Sequence, residues 1–310
     1  MCVVKLNTEQ AVEGWFSVEK FKVDSNGNEI EGSRHKPVPD FRNLITNAGL
    51  DRMGAYADWL WYCQVGSGST IANVSDTTLA ARVGSASGPT PVQAMQSTAP
   101  YYISATTTYR FAIGTAVGNL SEVGVGWAET GSLFSRALIV DGSGVPTTIT
   151  VLPDEILDVT YQFRCYAPTA DVMGTIVLRG VTHTWTSRAA MVTSMNIYQG
   201  WYMPRGAWLM SNPGVHQATD GTIGPVTGAP TGDVTAASSI SDAAYSSGSY
   251  AREGTLTFGL NQANYATGIG AIITVHGIGV SQISFSPQIM KTSEDVLTLV
   301  VKHSWARKTL

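Results

Sequence analysis

Charge is what this chain has least of. Asp, Glu, Lys and Arg make up 14% of its 310 residues, against roughly 25% in an ordinary soluble domain. The few Lys and Arg are scattered, and the net charge is -4. That leaves no electrostatic footprint for nucleic acid, and no such partner is expected. Cysteine is scarce as well. Cys2, Cys63 and Cys165 are odd in number and far apart, which argues against a disulfide framework and any Cys-x-x-Cys metal or redox motif. They read as buried or incidental thiols. No apolar run approaches the ~18 residues of a membrane span, so no membrane insertion is expected. The first residues, Met1-Cys2-Val3-Val4-Lys5-Leu6-Asn7, lack the basic, apolar and small-residue series of a signal peptide, and synthesis in a cytoplasm is expected.

The patterns of catalysis are thin too. Asp154, Glu155 and Asp158 are close in sequence, but they fall in a turn and a strand start, where acidic residues are ordinary. The five histidines, His35, His183, His216, His276 and His303, never stand at the i, i+4 spacing of a zinc helix, and residues as distant as His183 and His276 meet only through tertiary contact. The loop Gly66-Ser67-Gly68-Ser69-Thr70 lacks the Gly-Lys-Ser/Thr ending that holds phosphate and magnesium. Gly268-Ile269-Gly270 and Gly277-Ile278-Gly279 lack the third glycine of a dinucleotide fingerprint. They read as strand glycines at bends or close backbone approaches. With no Gly-x-Ser-x-Gly elbow either, the expectation is a protein that is not an enzyme, with no catalytic residue, metal site or cofactor.

What is present is β pattern, glycine and hydroxyl. Gly, Ser, Thr and Ala give a neutral, hydroxylated surface of the kind found on particle-forming proteins. Trp15 to Val23 alternates and runs into Asp24-Ser25-Asn26-Gly27-Asn28, whose Asn-Gly pair suits a tight hairpin turn. A helix is predicted after Pro39, capped by Asp40, with Phe41, Leu44, Ile45 and Ala48 on one face and Gly54 ending it. A second short helix is predicted from Ser75 or Asp76 through Leu79, Ala80 and Val83. Beyond residue 100 short strands alternate with turns, which predicts an all-β (mainly β) fold of tandem β-sandwich-like domains, with one or two short helices in the N-terminal part. The expected domains are 1–168 and 169–310. The stretch Gln217 to Gly254, poor in large apolar residues, is predicted to form long loops or an arm that orders only against neighbours. Thr148 to Phe163 and Gln282 to Val300 echo each other as a strand, a proline-bearing turn and a second strand, either by duplication or by shared hairpin grammar.

Aromatic residues are the remaining signal, namely Trp59, Trp61 and Tyr62, then Tyr198, Trp201, Tyr202 and Trp208. The last four are candidate interface or glycan-contact residues. Core or subunit packing uses such rings, and so does stacking on the apolar face of a sugar.

Four stretches resemble proteins encoded in the structural gene clusters of tailed bacteriophages. They are Asn43-Leu44-Ile45-Thr46-Asn47-Ala48-Gly49-Leu50-Asp51-Arg52; Val65-Gly66-Ser67-Gly68-Ser69-Thr70 with Ser75-Asp76-Thr77-Thr78-Leu79; Leu120-Ser121-Glu122-Val123-Gly124 through Leu133-Phe134-Ser135-Arg136-Ala137 to Val159-Thr160-Tyr161; and Ile283 to Arg307. The resemblance implies a virion structural protein of the tail tip, baseplate or fibre-attachment type, made in the host bacterial cytoplasm and resident in the virion. It brings no catalytic residues. The expected role is a structural subunit acting as an adaptor or fibre anchor through extended interfaces with its own copies and other phage virion proteins. Alternatives are a receptor-binding tail module that contacts a host surface glycan, and a head decoration protein.

Overall fold

The structure, a computed structural model, describes residues 6–190 and 211–309. It is mainly β, in several sheets. The first half of the chain forms β1 (Leu6–Lys22), β2 (Phe41–Arg42), β3 (Leu44–Ile45), the helix α1 (Asn47–Ala55), β4 (Tyr62–Gly66), β5 (Arg82–Ser87), β6 (Val92–Gln96), β7 (Tyr102–Phe111), β8 (Gly118–Leu120), β9 (Glu122–Gly126), β10 (Leu133–Leu138), β11 (Ile149–Val151) and β12 (Glu155–Tyr166). The second half forms β13 (Val172–Leu178), β14 (Val181–Ala189), β15 (Gln217–Thr219), β16 (Val234–Ala236), β17 (Ser239–Asp242), β18 (Ala251–Phe258), β19 (Ile269–His276), β20 (Gly279–Ile289) and β21 (Leu297–Arg307).

Two compact units are built from interleaved segments. An N-terminal unit gathers Val12–Ala94, Ser104–Arg164 and the described residues of Arg307–Leu310. A C-terminal unit gathers the described residues of Met1–Ala11, Met95–Ile103 and Cys165–Ala306. The division expected near residue 168 lies beside one of the chain's crossings, between Arg164 and Cys165; the other crossings have no counterpart in a linear reading.

In the N-terminal unit an antiparallel sheet runs in the order β3-β10-β9-β4-β5, with β8 and β11 as a separate pair. Aromatic rings fill its core. Phe16 lies 4.9 Å from Tyr161 and 5.8 Å from Phe41, and Trp59 stacks on Phe134 at 5.4 Å while meeting the edge of Phe163 at 5.3 Å. The turn after β1 forms as its residues suggest. Gly27 takes φ +82°, and the Asp24 carboxylate accepts from the amides of Asn26 (2.9 Å) and Asn28 (2.8 Å). The return arm pairs only through the isolated bridges Val23↔Glu29 and Lys20↔His35.

The helix differs from its prediction. It starts at Asn47, and its cap is Thr46, not Asp40. Phe41 and Arg42 pair with β1, and Leu44 and Ile45 pair with β10, so the residues predicted as one helical face are drawn into two ladders. Thr46 is held from outside the helix. Its hydroxyl donates to Leu133 O (2.7 Å) and accepts from Gly49 N (2.9 Å), and its amide donates to Phe134 O (2.9 Å). The second predicted helix does not form. Residues 75–81 run through turns and bends into β5, because the Asp76 carboxylate that would cap a helix is engaged by Arg136 and by Asn73 N.

The C-terminal unit is a sandwich. The sheet β13-β14-β20-β19-β15-β16 packs against β17, β18 and β21 over a core that includes Trp185, Ile272, Ile283, Phe285, Phe258 and Leu299. Every residue of β19 is buried, as expected of a strand covered on both faces. Gly270 makes the close approach predicted for it, since a Cβ there would lie 2.0 Å from Gly221 O. The stretch Gln217 to Gly254, expected as loops, instead holds β15, β16, β17 and the start of β18. Small residues suffice there, because Ala218 and Ala237 reach the core directly. The two echoing segments are not closing hairpins. β11 pairs with β8 and not with β12, β20 and β21 lie in different sheets, and Pro287 sits inside β20. Among the described residues no helix is long and apolar enough to cross a membrane.

Candidate functional site

The carboxylates that cluster in sequence are each engaged by cations. Asp154 pairs with Lys22 (2.8 Å) and Glu155 with Lys20 (3.0 Å). Asp158 receives a two-pronged contact from Arg110 (2.8 and 2.7 Å) and a third bond from Arg34 (3.2 Å). Burial alone would raise the Asp158 pKa, but the Arg110 and Arg34 guanidiniums hold it below the usual carboxylate range. A general acid needs the opposite shift. Asp154 and Glu155 tie the start of β12 to the lysines at the end of β1, and Asp158 ties β12 to Arg110 and Arg34.

Of the histidines, His183 turns its Nδ1 to Pro287 O (2.6 Å) and does not meet His276. His276 instead stacks on His303, with ring centroids 4.2 Å apart and planes 11° apart. Burial, then the neighbouring His303 and His216, push the His276 pKa well below the ordinary histidine value. Among the described residues no group of three or more His, Cys, Asp and Glu side chains converges as a metal site. Cys63 and Cys165 are buried free thiols, and Cys2 lies outside the described residues.

A densely connected polar group is one that the linear pattern does not single out. Glu122, at the start of β9, has a fully buried side chain (0% exposed) paired with Arg136 of β10, itself 3% exposed. Glu122 Oε1 accepts from Gly68 N (3.0 Å) and Ala81 N (2.7 Å), and Oε2 from Ala80 N (3.0 Å) and Arg136 Nε (3.1 Å). Arg136 also donates to Thr70 O (2.8 Å) and to the Asp76 carboxylate. The glycine loop thus cradles an anion, but the anion is the protein's own carboxylate. Glycine is required, since a Cβ on Gly68 would lie 2.4 Å from Glu122 Oε1, and one on Gly66 would lie 2.5 Å from Ala81 O. The available signal was a charge inside each of two apolar strand runs, Glu122-Val123-Gly124-Val125 and Leu133-Phe134-Ser135-Arg136-Ala137-Leu138, in a chain that has few charges to place.

The aromatics divide. Trp59 is core, with its indole donating to Tyr56 O (2.9 Å). Trp61 is 59% exposed, and Tyr62 is half-buried in β4. Tyr198, Trp201, Tyr202 and Trp208 lie outside the described residues. Exposed apolar side chains gather on the β13–β14 hairpin, where Val172, Met173, Val177 and Val181 all face solvent. Each unit also has an open groove. One of about 540 Å³ is walled by Leu44, Ile71, Leu138 and Val140 and rimmed by Arg42 and Arg307. The other, about 580 Å³, is walled by Val181, Ile289, Met290 and Val296. No family model, curated protein or solved structure matches the chain.

Proposed function

We propose that the chain is a non-enzymatic structural subunit of a bacteriophage tail, an adaptor or fibre anchor acting through extended protein interfaces. One observation carries the reading. Two of the stretches that resemble phage structural proteins meet at one buried ion pair, and a third docks on the strand that carries it. The glycine loop, Asp76 and the β9–β10 hairpin meet at the buried Glu122–Arg136 pair. The first resembling stretch docks on the same β10 through Thr46. Residues that are separate in sequence but cooperate in one network are what a structural module preserves. What supports the reading is that these resembling residues share one buried network. The uncharged, apolar face of the β13–β14 hairpin adds the kind of surface that permanent assembly covers.

The test is the protein inventory and image reconstruction of particles purified from lysed host cells. The subunit is expected in the tail at fixed stoichiometry. Its absence from particles would defeat the reading, as would a chain that stays monomeric alone and with the neighbouring tail proteins. Location on the head would favour a decoration role instead.

A further inference from the structure

β13 is the edge of its sheet, and nothing in its sequence guards that edge. Among the described residues it pairs only with β14. A sheet edge carries backbone donors and acceptors that template a further strand, and proteins ordinarily blunt it with a charge, a proline or a bulge. Val172-Met173-Gly174-Thr175-Ile176-Val177-Leu178 contains neither charge nor proline, and its ladder with β14 runs without a shift of register. Met173 is 70% exposed and Val177 60%.

The hairpin turn fixes which groups face outward. Leu178 pairs with Val181 around Arg179-Gly180, whose positive φ values, 51° and 80°, suit a two-residue type I′ turn. The pair that closes such a turn exchanges both its hydrogen bonds, and bonded residues alternate along the ladder. Leu178, Ile176 and Gly174 therefore bond to β14, whereas Met173 and Thr175 aim their amides and carbonyls away from it. The side chains divide on the same period. Leu178 and Ile176 meet the core, and a Cβ on Gly174 would lie 2.5 Å from the Trp185 ring. Met173, Thr175 and Val177 share the opposite face.

About a two-fold axis this edge is complementary to itself. Such an axis makes every contact occur twice, residue i on j and j on i. An antiparallel register centred on Thr175 overlaps the whole strand and joins outward-aimed residues to outward-aimed residues. It sets Met173 opposite Val177 of the second copy, about 5 Å apart, so the two most exposed apolar side chains of β13 cover each other. Just beyond the strand it sets Asp171 opposite Arg179 of the second copy, opposite charges at both ends of the pair. Arg179 is held to Asp295 but is 64% exposed, within reach of a second carboxylate. Centring on Gly174 would instead set Met173 opposite Thr175, and centring on Ile176 would set it opposite Arg179.

We propose that β13 is a self-association edge, on which two copies of the chain pair antiparallel about Thr175 and join their sheets into one. The inference deepens the assembly reading above and rests on it for a place in the particle; the pairing itself stands on β13.

The test is sedimentation of the full chain over a range of concentrations, beside Met173→Lys and Val177→Glu. Both positions are exposed enough for the variants to fold, and unchanged melting curves check that they do. The wild type is expected to dimerise, and each substitution to weaken the dimer at least about tenfold. An equimolar mixture of the two variants should regain the dimer, because the introduced lysine of one chain then faces the introduced glutamate of the other while Val177 and Met173 still meet at the second contact. A monomeric wild type overturns the proposal, as does a dimer that both substitutions leave unchanged. A mixture no more dimeric than either variant alone refutes the register and with it the proposal, and open-ended aggregation in place of a dimer does the same. A wild type that is monomeric alone leaves the tail assignment standing, since that reading falls only if the chain also stays monomeric with the neighbouring tail proteins or is absent from particles.

Discussion

Replacing Glu122 by alanine should unfold the N-terminal unit far more readily than the loss of one surface-sized charge suggests. The carboxylate is fully buried, and it satisfies three backbone amides, those of Gly68, Ala80 and Ala81, as well as Arg136. Removing one member of a buried ion pair costs about 3–5 kcal/mol, because the other is left charged and unpaired. Each stranded amide adds a desolvation penalty of about 1–3 kcal/mol unless water enters. Relaxation of the loop will recover part of this, so about 4 kcal/mol is a sound expectation for Glu122→Ala. Arg136→Met should cost less, about 2–3 kcal/mol, because the carboxylate it leaves behind keeps its three amide donors. The two losses should not add, and the double variant Glu122→Ala/Arg136→Met should recover at least about 1 kcal/mol of their sum. Urea unfolding followed by tryptophan emission reports on this unit through Trp59, buried against Phe134. Hydrogen exchange at Gly68, Ala80 and Ala81 supplies a local readout, with protection lost in Glu122→Ala. A cost below about 1 kcal/mol, or single costs that add within about 0.5 kcal/mol, would refute the account of this network as the clamp on the glycine loop.

Acid should loosen the C-terminal unit before it titrates the carboxylates. The folded-state pKa of His276 is depressed, so the unfolded chain binds the extra proton. Stability therefore rises with pH and is lost as pH falls below about 6.5, with a slope approaching 1.4 kcal/mol per pH unit, roughly, for one histidine. His276→Phe should flatten that slope, and an unchanged slope between about pH 6.5 and 5 would show that another group carries it. Gly49→Ala sets two effects against each other. Helix propensity favours alanine by about 1 kcal/mol, but its Cβ would lie 2.2 Å from Phe134 O. Packing should win and lower the melting temperature, whereas a stabilised variant would mean that α1 does not press on β10. Burial pushes the Cys63 and Cys165 thiols up, so peptide mapping after alkylation at neutral pH should find both unlabelled in the native chain and labelled in urea.

The strands were legible wherever one physical cause dominated. In β12 the alternation of Tyr161, Phe163 and Cys165 with Thr160, Gln162 and Arg164 appears directly as buried and part-buried positions. At β19 the glycines read as strand glycines do fall in or beside a strand, one that is buried at every position. Local grammar failed where two local signals of similar strength were decided from a distance. Asp40 and Thr46 are both competent caps, and the choice falls to Thr46 because Leu133 and Phe134 carbonyls hold it. Asp76 is a competent cap as well, but Arg136 takes its carboxylate. The interleaving of the two units was illegible for the same reason, since it depends on which distant segments pair.

The exposure of Trp61 was half legible. The sequence named the ring and offered packing or sugar stacking for it, but it could not separate Trp61 from Trp59, two residues away and fully buried. Tertiary contact makes that separation, because Trp59 packs between Phe134 and Phe163 while Trp61 stays 59% exposed. A scarcity of charge helps in the same way. In a chain with ordinary charge content, Glu122 and Arg136 would be two among many. At 14%, a carboxylate and a guanidinium inside apolar strands have to find each other or cost the fold several kcal/mol, roughly. Their pairing is the long-range contact that meets this cost.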